Sequence, residues 1–252
     1  VLTLSSAELQ ALAGAWGWPF LRVLALVAAA PVFGHRAVPA RVKVGLALAL
    51  TALVAPLLPP APPLDAPGAF VILLEQIAIG IALALAMHLA FAAVALAGDA
   101  IGLQMGLSFA TFVDPQHAAQ TPMLGTFLAL LATLVFFAID GHLLLLAALV
   151  ESFRVAPVGA GALGRAHWGE VAAWGAQLFR TGLAIALPVL AAMLACNLAL
   201  AVLARAAPQL HLFAVGFPVT LLVGLAALAF FLPWLAPPLA EALRAALEPW
   251  LP

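Results

Sequence analysis

Apolar residues come in long, nearly unbroken runs at 16–33, 44–58, 70–96, 124–150, 178–203 and 212–235, and polar residues collect between them. A helix needs about 20 mostly apolar residues to cross a bilayer, so the pattern predicts six hydrophobic helices, the second one short. Strands of a membrane barrel would instead alternate apolar and polar residues over segments of about ten, a pattern missing here. The fold class predicted is all-α, a polytopic helical membrane-type protein. Prolines 19, 31, 188, 218 and 233 fall within or beside the runs and predict bends or breaks, because proline lacks a backbone donor and its ring crowds the preceding turn. The proline-rich stretch PLLPPAPPLDAP at 56–67 reads as a stiff connector. No internal repeat stands out. An N-terminal helical part at about 1–150 and a C-terminal helical hairpin at about 165–240 are expected within a single subunit spanning 1–252.

Composition agrees with the pattern. The 252 residues are 67% hydrophobic and 8% charged, with a formal charge of −1 and a mean hydropathy of +1.22, far from a soluble domain. No block of Lys and Arg is present, which argues against a nucleic-acid partner. The N-terminal residues lack the basic region and small-residue cleavage site of a secretory signal, so the first apolar segment is expected to be retained. Positive charge gives a small topological preference. With the N-terminus outward, Arg36, Arg41, Lys43 and Arg205 fall inside, and Arg154, Arg165 and Arg244 outside.

Chemistry-bearing motifs are sparse. The six histidines are too far apart in sequence to form a local metal motif, no serine sits in GxSxG, and no glycine-rich phosphate loop occurs. No cofactor and no enzymatic activity are expected. The single cysteine, Cys196, can form no internal disulfide. Charged and titratable residues inside apolar runs are functional candidates by default, and Arg22, Glu75, His88, Asp140 and Arg180 qualify. Arg22 and Arg180 lie near run ends and read as interfacial anchors. Glu75 and His88 are separated by about 20 Å along one helix, so each needs a partner from elsewhere. Asp140-Gly141-His142 interrupts a run and has two readings, a proton relay or a polar clasp that lets backbones approach at Gly141; the clasp is favoured.

Residues 98–122, GDAIGLQMGLSFATFVDPQHAAQTP, have the most unusual composition. Gly98, Gly102 and Gly106 recur at four-residue steps and predict a smooth ridge for close helix packing. Asp114-Pro115 predicts a change from helix to loop. Met105, Leu107, Phe109 and Phe112 are large apolar groups around that change. They form a water-excluding constriction if they line a pore, or they are buried between helices, and the residues alone favour burial slightly.

Several ordered stretches resemble the FliR family, the export-gate subunit of flagellar and related type III secretion systems. They are PFLRVLALVAAAPVFGHRAVPARVKVGLALAL from Pro19, LLEQIAIGIALALAMHLAF from Leu73, AGDAIGLQMGLSFATFVDP from Ala97, LATLVFFAIDGHLLLLAALVESFRVAPVG from Leu131, and LPVLAAMLACNLALAVLARAAPQLHLFAVGFPVTLLVG from Leu187. Asp140 departs from the Asn-Gly-His expected of that family. The resemblance implies a non-catalytic subunit assembled with FliP-like, FliQ-like and FlhB-like subunits in the bacterial inner membrane, at the flagellar basal body. Unfolded secreted proteins, flagellar ones in particular, pass through that gate. The resemblance also implies a pore plug at 106–121, shifting the reading of Met105, Leu107, Phe109, Phe112, Asp114 and Pro115 from burial to closure. Gly98, Gly102, Gly106 and Gly141 then serve packing, and Glu75, Asp140, His142 and Arg205 are buried polar contacts that hold neighbouring helices. The alternative is a secondary transporter using Glu75, Asp140 and His142 as an ion or proton relay, with Pro188 and Pro218 in broken helices.

Overall fold

A computed structural model describes residues 5–107, 123–161, 168–207 and 212–247, and no strand occurs among them. The helices are α1 (Ser6–Ala29), α2 (Ala40–Val54), α3 (Ala69–Gln104), α4 (Met123–Ala138), α5 (Gly141–Val155), α6 (Trp168–Ala206), α7 (Leu212–Phe231) and α8 (Ala236–Leu247), with 3-10 turns at Ala55–Leu57 and Leu232–Trp234. Among the described residues five helical stretches are long and apolar enough to cross a membrane, or six when the bent pair α4 and α5 is counted as one span. At about 1.5 Å per residue, α3 with 36 residues and α6 with 39 are each longer than the hydrocarbon core of about 30 Å requires.

Local chemistry explains the helix limits that hydropathy misplaced. α1 starts ten residues before the expected apolar run because Ser5 and Glu8 form a capping box: the Ser5 N–H donates to Glu8 Oε2 at 2.7 Å and the Glu8 N–H to Ser5 Oγ at 3.3 Å. It ends at Ala29 because Ala30 precedes Pro31 and takes an extended conformation. Pro19, Pro188 and Pro218 lie inside continuous helices α1, α6 and α7. Of the expected bends or breaks, a break occurs at none of these three positions. A break appears instead between α4 and α5, where Asp140 adopts a left-handed conformation with φ 56°.

The chain groups into two compact units, each discontinuous in sequence: 1–89 with 140–172 and 244–252, and 90–139 with 173–243. In the first unit the proline-rich connector lies along α1. Trp18 Nε1 donates to Pro62 O at 2.8 Å, and Gly14 abuts Pro62 and Pro63 so closely that a side chain there would collide with their backbone. A proline segment offers carbonyl acceptors and few donors, so an indole N–H is a fitting tie.

The second unit is organised around the latter half of α3. Three other helices each bring a glycine to it. A Cβ added at Gly182 of α6 would stand 2.7 Å from Ala93 O, one at Gly224 of α7 would stand 2.5 Å from Met105 Cγ, and Gly125 of α4 meets Asp99 and Gly98. Phe91 and Phe136 add an edge-to-face ring contact with centroids 5.9 Å apart.

Candidate functional site

The stem of the 98–122 segment is the end of α3, and its three glycines have three different jobs. A Cβ at Gly98 would stand 2.6 Å from Gly125 Cα and 2.8 Å from Leu124 O, so α3 and α4 touch backbone to backbone. Gly125, its partner, was not singled out from the sequence. A glycine inside an apolar run, opposite a glycine ridge, is the signal that was there to find. Gly102 is less constrained. Its nearest neighbour would be Leu124 Cβ at 3.6 Å, ordinary van der Waals contact, so sterics do not demand glycine there.

Gly106 is no part of a helical ridge. It lies beyond α3 with φ 81°, its N–H donates to Leu103 O at 3.1 Å, and the next N–H, of Leu107, reaches back to Gly102 O at 3.0 Å. That pair of bonds is a Schellman motif, which closes the orphan carbonyls of a helix end and requires a left-handed residue that glycine adopts without strain. The helix therefore stops immediately before the aromatic segment by a specific device.

Met105 is fully buried, with its side chain lying over Gly224 of α7, and Thr220 Oγ1 lies 3.5 Å from its carbonyl. Within this chain Met105 anchors the foot of the segment, and Leu107 beside it is half-buried. Phe109, Phe112, Asp114 and Pro115 lie outside the described residues.

Asp99 follows Gly98 on α3. Its Oδ1 is buried against Gly125 and has no hydrogen-bond partner among the described residues. In the sequence this carboxylate is one polar residue inside the glycine-spaced stretch, with no motif around it to mark it.

The polar residues expected to hold helices divide. Glu75 is buried in the first unit. His142 is half-buried, with its Nδ1 out of solvent. Asp140 and Arg205, expected to be buried, are exposed on this chain. Asp140 occupies the left-handed position between α4 and α5, a place suited to Asp, Asn or Gly. The Asn expected from the family and the Asp found here meet the same backbone requirement. Gly141, next along, is buried at the first position of α5.

Arg22 overturns its reading as an interfacial anchor, whereas Arg180 is exposed. The Arg22 side chain is fully enclosed, with every arm of the guanidinium engaged. Nε donates to Gln76 Oε1 at 2.9 Å, one terminal nitrogen to Ser152 O at 2.8 Å and Ser152 Oγ at 3.1 Å, and the other to Ala156 O at 2.8 Å. The Phe153 ring lies 4.0 Å from the guanidinium carbon, within cation–π range. Ser152 and Ala156 are at the C-terminal end of α5, where the helix dipole favours a cation; the Ser152 carbonyl also accepts the Ala156 N–H at 2.9 Å, so the guanidinium uses its second lone pair. Gln76 and Gly80 share a face of α3 one turn apart, and Gly80 abuts the Arg22 backbone, so the small residue brings the amide within reach. Glu75 also acts on the guanidinium electrostatically. His88, the other isolated group, has Nε2 2.6 Å from Ala29 O at the end of α1.

Among the described residues no group of three or more His, Cys, Asp and Glu side chains could hold a metal ion, and Cys196 is half-buried. What the residues do provide is attachment, with a backbone contact at Gly98 and the buried Met105 side chain fixing the stem and a buried arginine tying α1, α3 and α5.

Comparison with known proteins gives a consistent picture. The family described as "Bacterial export proteins, family 1" matches residues 13–246. The chain is similar to the flagellar biosynthetic protein FliR of Pectobacterium carotovorum, 45% identical over 242 residues that cover 96% of this chain and 92% of the relative. It is also similar to FliR of Escherichia coli K12, 46% identical over 221 residues covering 87% and 85% of the two chains. FliR of Bacillus subtilis is 34% identical over 209 residues, covering 81% and 80%.

Proposed function

The chain belongs to the FliR family of bacterial export proteins and acts in flagellar export as a helical membrane protein, and from that premise we propose that it is a non-catalytic subunit of the export gate, helping to form and to plug the channel. The observation that carries the plug reading is the stem. α3 is stopped by a Schellman motif at Gly106, directly before the aromatic segment, and its last turns are pinned by Gly98 against Gly125 and by Met105 over Gly224. A segment meant to close a pore and be displaced by cargo needs a fixed base, because a mobile base would let the closure drift. In this reading the aromatic residues Phe109 and Phe112 supply the bulk that excludes water.

FliP-like, FliQ-like and FlhB-like subunits are the proposed partners, unfolded flagellar proteins the cargo, and the inner membrane at the flagellar basal body the location. The abundance of exposed apolar side chains on α6 and α7, Leu194, Leu198, Leu222 and Phe230 among them, supports burial against lipid or other subunits.

The test is a deletion within 108–120 made in assembled gates. Leakage of small solutes across the membrane is expected to rise well above that of the intact gate. Unchanged leakage in fully assembled complexes would overturn the plug.

A further inference from the structure

Residues 9–64 contain Arg22, Arg36, Arg41 and Lys43 but no Asp or Glu, in a chain whose overall formal charge is −1. Arg22 is consumed by its buried hydrogen bonds. The remaining three lie in or next to the turn between α1 and α2, together with His35, and the fold draws them together. Lys43 Nζ donates to Gly34 O at 2.7 Å, folding the first turn of α2 back onto the end of α1, while Val38 N–H bonds His35 O at 3.0 Å to tighten the turn. His35, Arg36 and Arg41 remain exposed. His88 of α3 reaches the same end of α1 through Ala29 O and is also exposed. Three elements thus bring basic groups to one place.

Immediately beyond this basic turn, α2 presents an apolar outer face. Val42 and Leu48 are each 55% exposed and Leu53 is 70% exposed. Cationic side chains at one end of an exposed apolar helix match an anionic amphiphile, with its charged headgroup at the turn and its acyl chains along the helix. An acidic protein segment would satisfy the charges but leave the apolar face beside them unexplained.

We propose that the α1–α2 turn, through Arg36, Arg41 and Lys43, is a headgroup-binding surface for anionic phospholipid. This site is independent of the plug and goes beyond the export role. The full chain, purified in detergent and equilibrated with equal amounts of phosphatidylglycerol and phosphatidylcholine, is examined by native mass spectrometry for retained lipid. Phosphatidylglycerol is expected to be retained in preference. R36Q/R41Q should weaken that retention by about fivefold per charge removed, while R36K/R41K keeps it. R180Q/R244Q, which removes exposed cations elsewhere, should leave the preference intact. Equal retention of the two lipids by the wild type would overturn the proposal, as would an equal loss in R180Q/R244Q. So would an unchanged lipid preference in R36Q/R41Q combined with loss of an acidic partner protein from complexes isolated from cells.

Discussion

The two units hold their helices by different means. Among the described residues, the buried polar side chains are Arg22, Thr51, Glu75, Gln76 and Ser152, and all five belong to the first unit. The second unit has an apolar core in which Gly98, Gly125, Gly182 and Gly224 allow backbones and side chains to approach closely. In lipid, apolar burial between helices gains little over contact with acyl chains, so association relies on hydrogen bonds or on close van der Waals packing. The first unit uses both, its buried polar group together with close backbone contacts at Gly14 and Gly80, and the second relies on close packing. The consequence is a difference in tolerance: a hydrogen-bonded hub fails when one partner is removed, and a close-packed seam fails when an atom is added.

The largest effect is expected at the hub. Arg22→Met keeps an apolar stem of similar length but leaves the Ser152 and Ala156 carbonyls, the Gln76 oxygen and the Glu75 carboxylate without their cation. A buried acceptor left without its donor costs about 1–3 kcal/mol, and several lose theirs at once. A marked fall in the thermal midpoint in detergent is the expected result. Adding Glu75→Gln should recover part of the loss by removing the stranded charge. No recovery would mean that the carbonyl bonds alone carry the hub, and an unchanged midpoint for Arg22→Met would erase the contrast between the units.

A smaller cost is expected at the seam. In Gly98→Ala the new methyl meets the Gly125 and Leu124 backbone, which cannot rotate away, so α3 and α4 must separate. Overpacking of this kind costs about 1–3 kcal/mol. Gly224→Ala meets only the side chain of Met105, whose three rotatable bonds can adjust, so its thermal shift should be the smaller of the two. The reverse order would show that the Met105 anchor is more rigid than the backbone seam.

Sequence and structure agree where a property is summed over many residues and part where it depends on one dihedral or on distant partners. The long apolar runs were legible because each helix draws on about 20 positions. The break at Asp140 was not, since a left-handed dihedral leaves no mark on hydropathy and the short polar stretch Asp140-Gly141-His142 read as a clasp between helices. Arg22 was misread because its partners are 54, 130 and 134 residues away, and position near a run end suggested a snorkelling side chain. The glycine ridge was half legible. Spacing of four identified Gly98, and the opposing Gly125 gives that spacing its meaning, but the same spacing assigned Gly106 to packing when its bonds make it a cap. Periodicity alone does not distinguish the last residue of a ridge from the first residue after a helix.

Gly102 offers the smallest effect and the most direct test of that distinction. Its neighbours leave room for a methyl at 3.6 Å from Leu124 Cβ, and it lies inside α3 with no left-handed requirement. Alanine in a helix interior is favoured over glycine by about 0.8–1.0 kcal/mol, chiefly through the lower entropy of the unfolded chain. Gly102→Ala should therefore be neutral or raise the thermal midpoint slightly. Gly106→Ala, four residues on, should lower it, because its φ of 81° is one that a side chain disfavours. Opposite signs from two glycines of the same spacing would separate packing from capping at the foot of the proposed plug. A loss at both positions would instead mean that α3 is packed more tightly at Gly102 than its neighbours indicate, extending the close seam of the second unit by one turn.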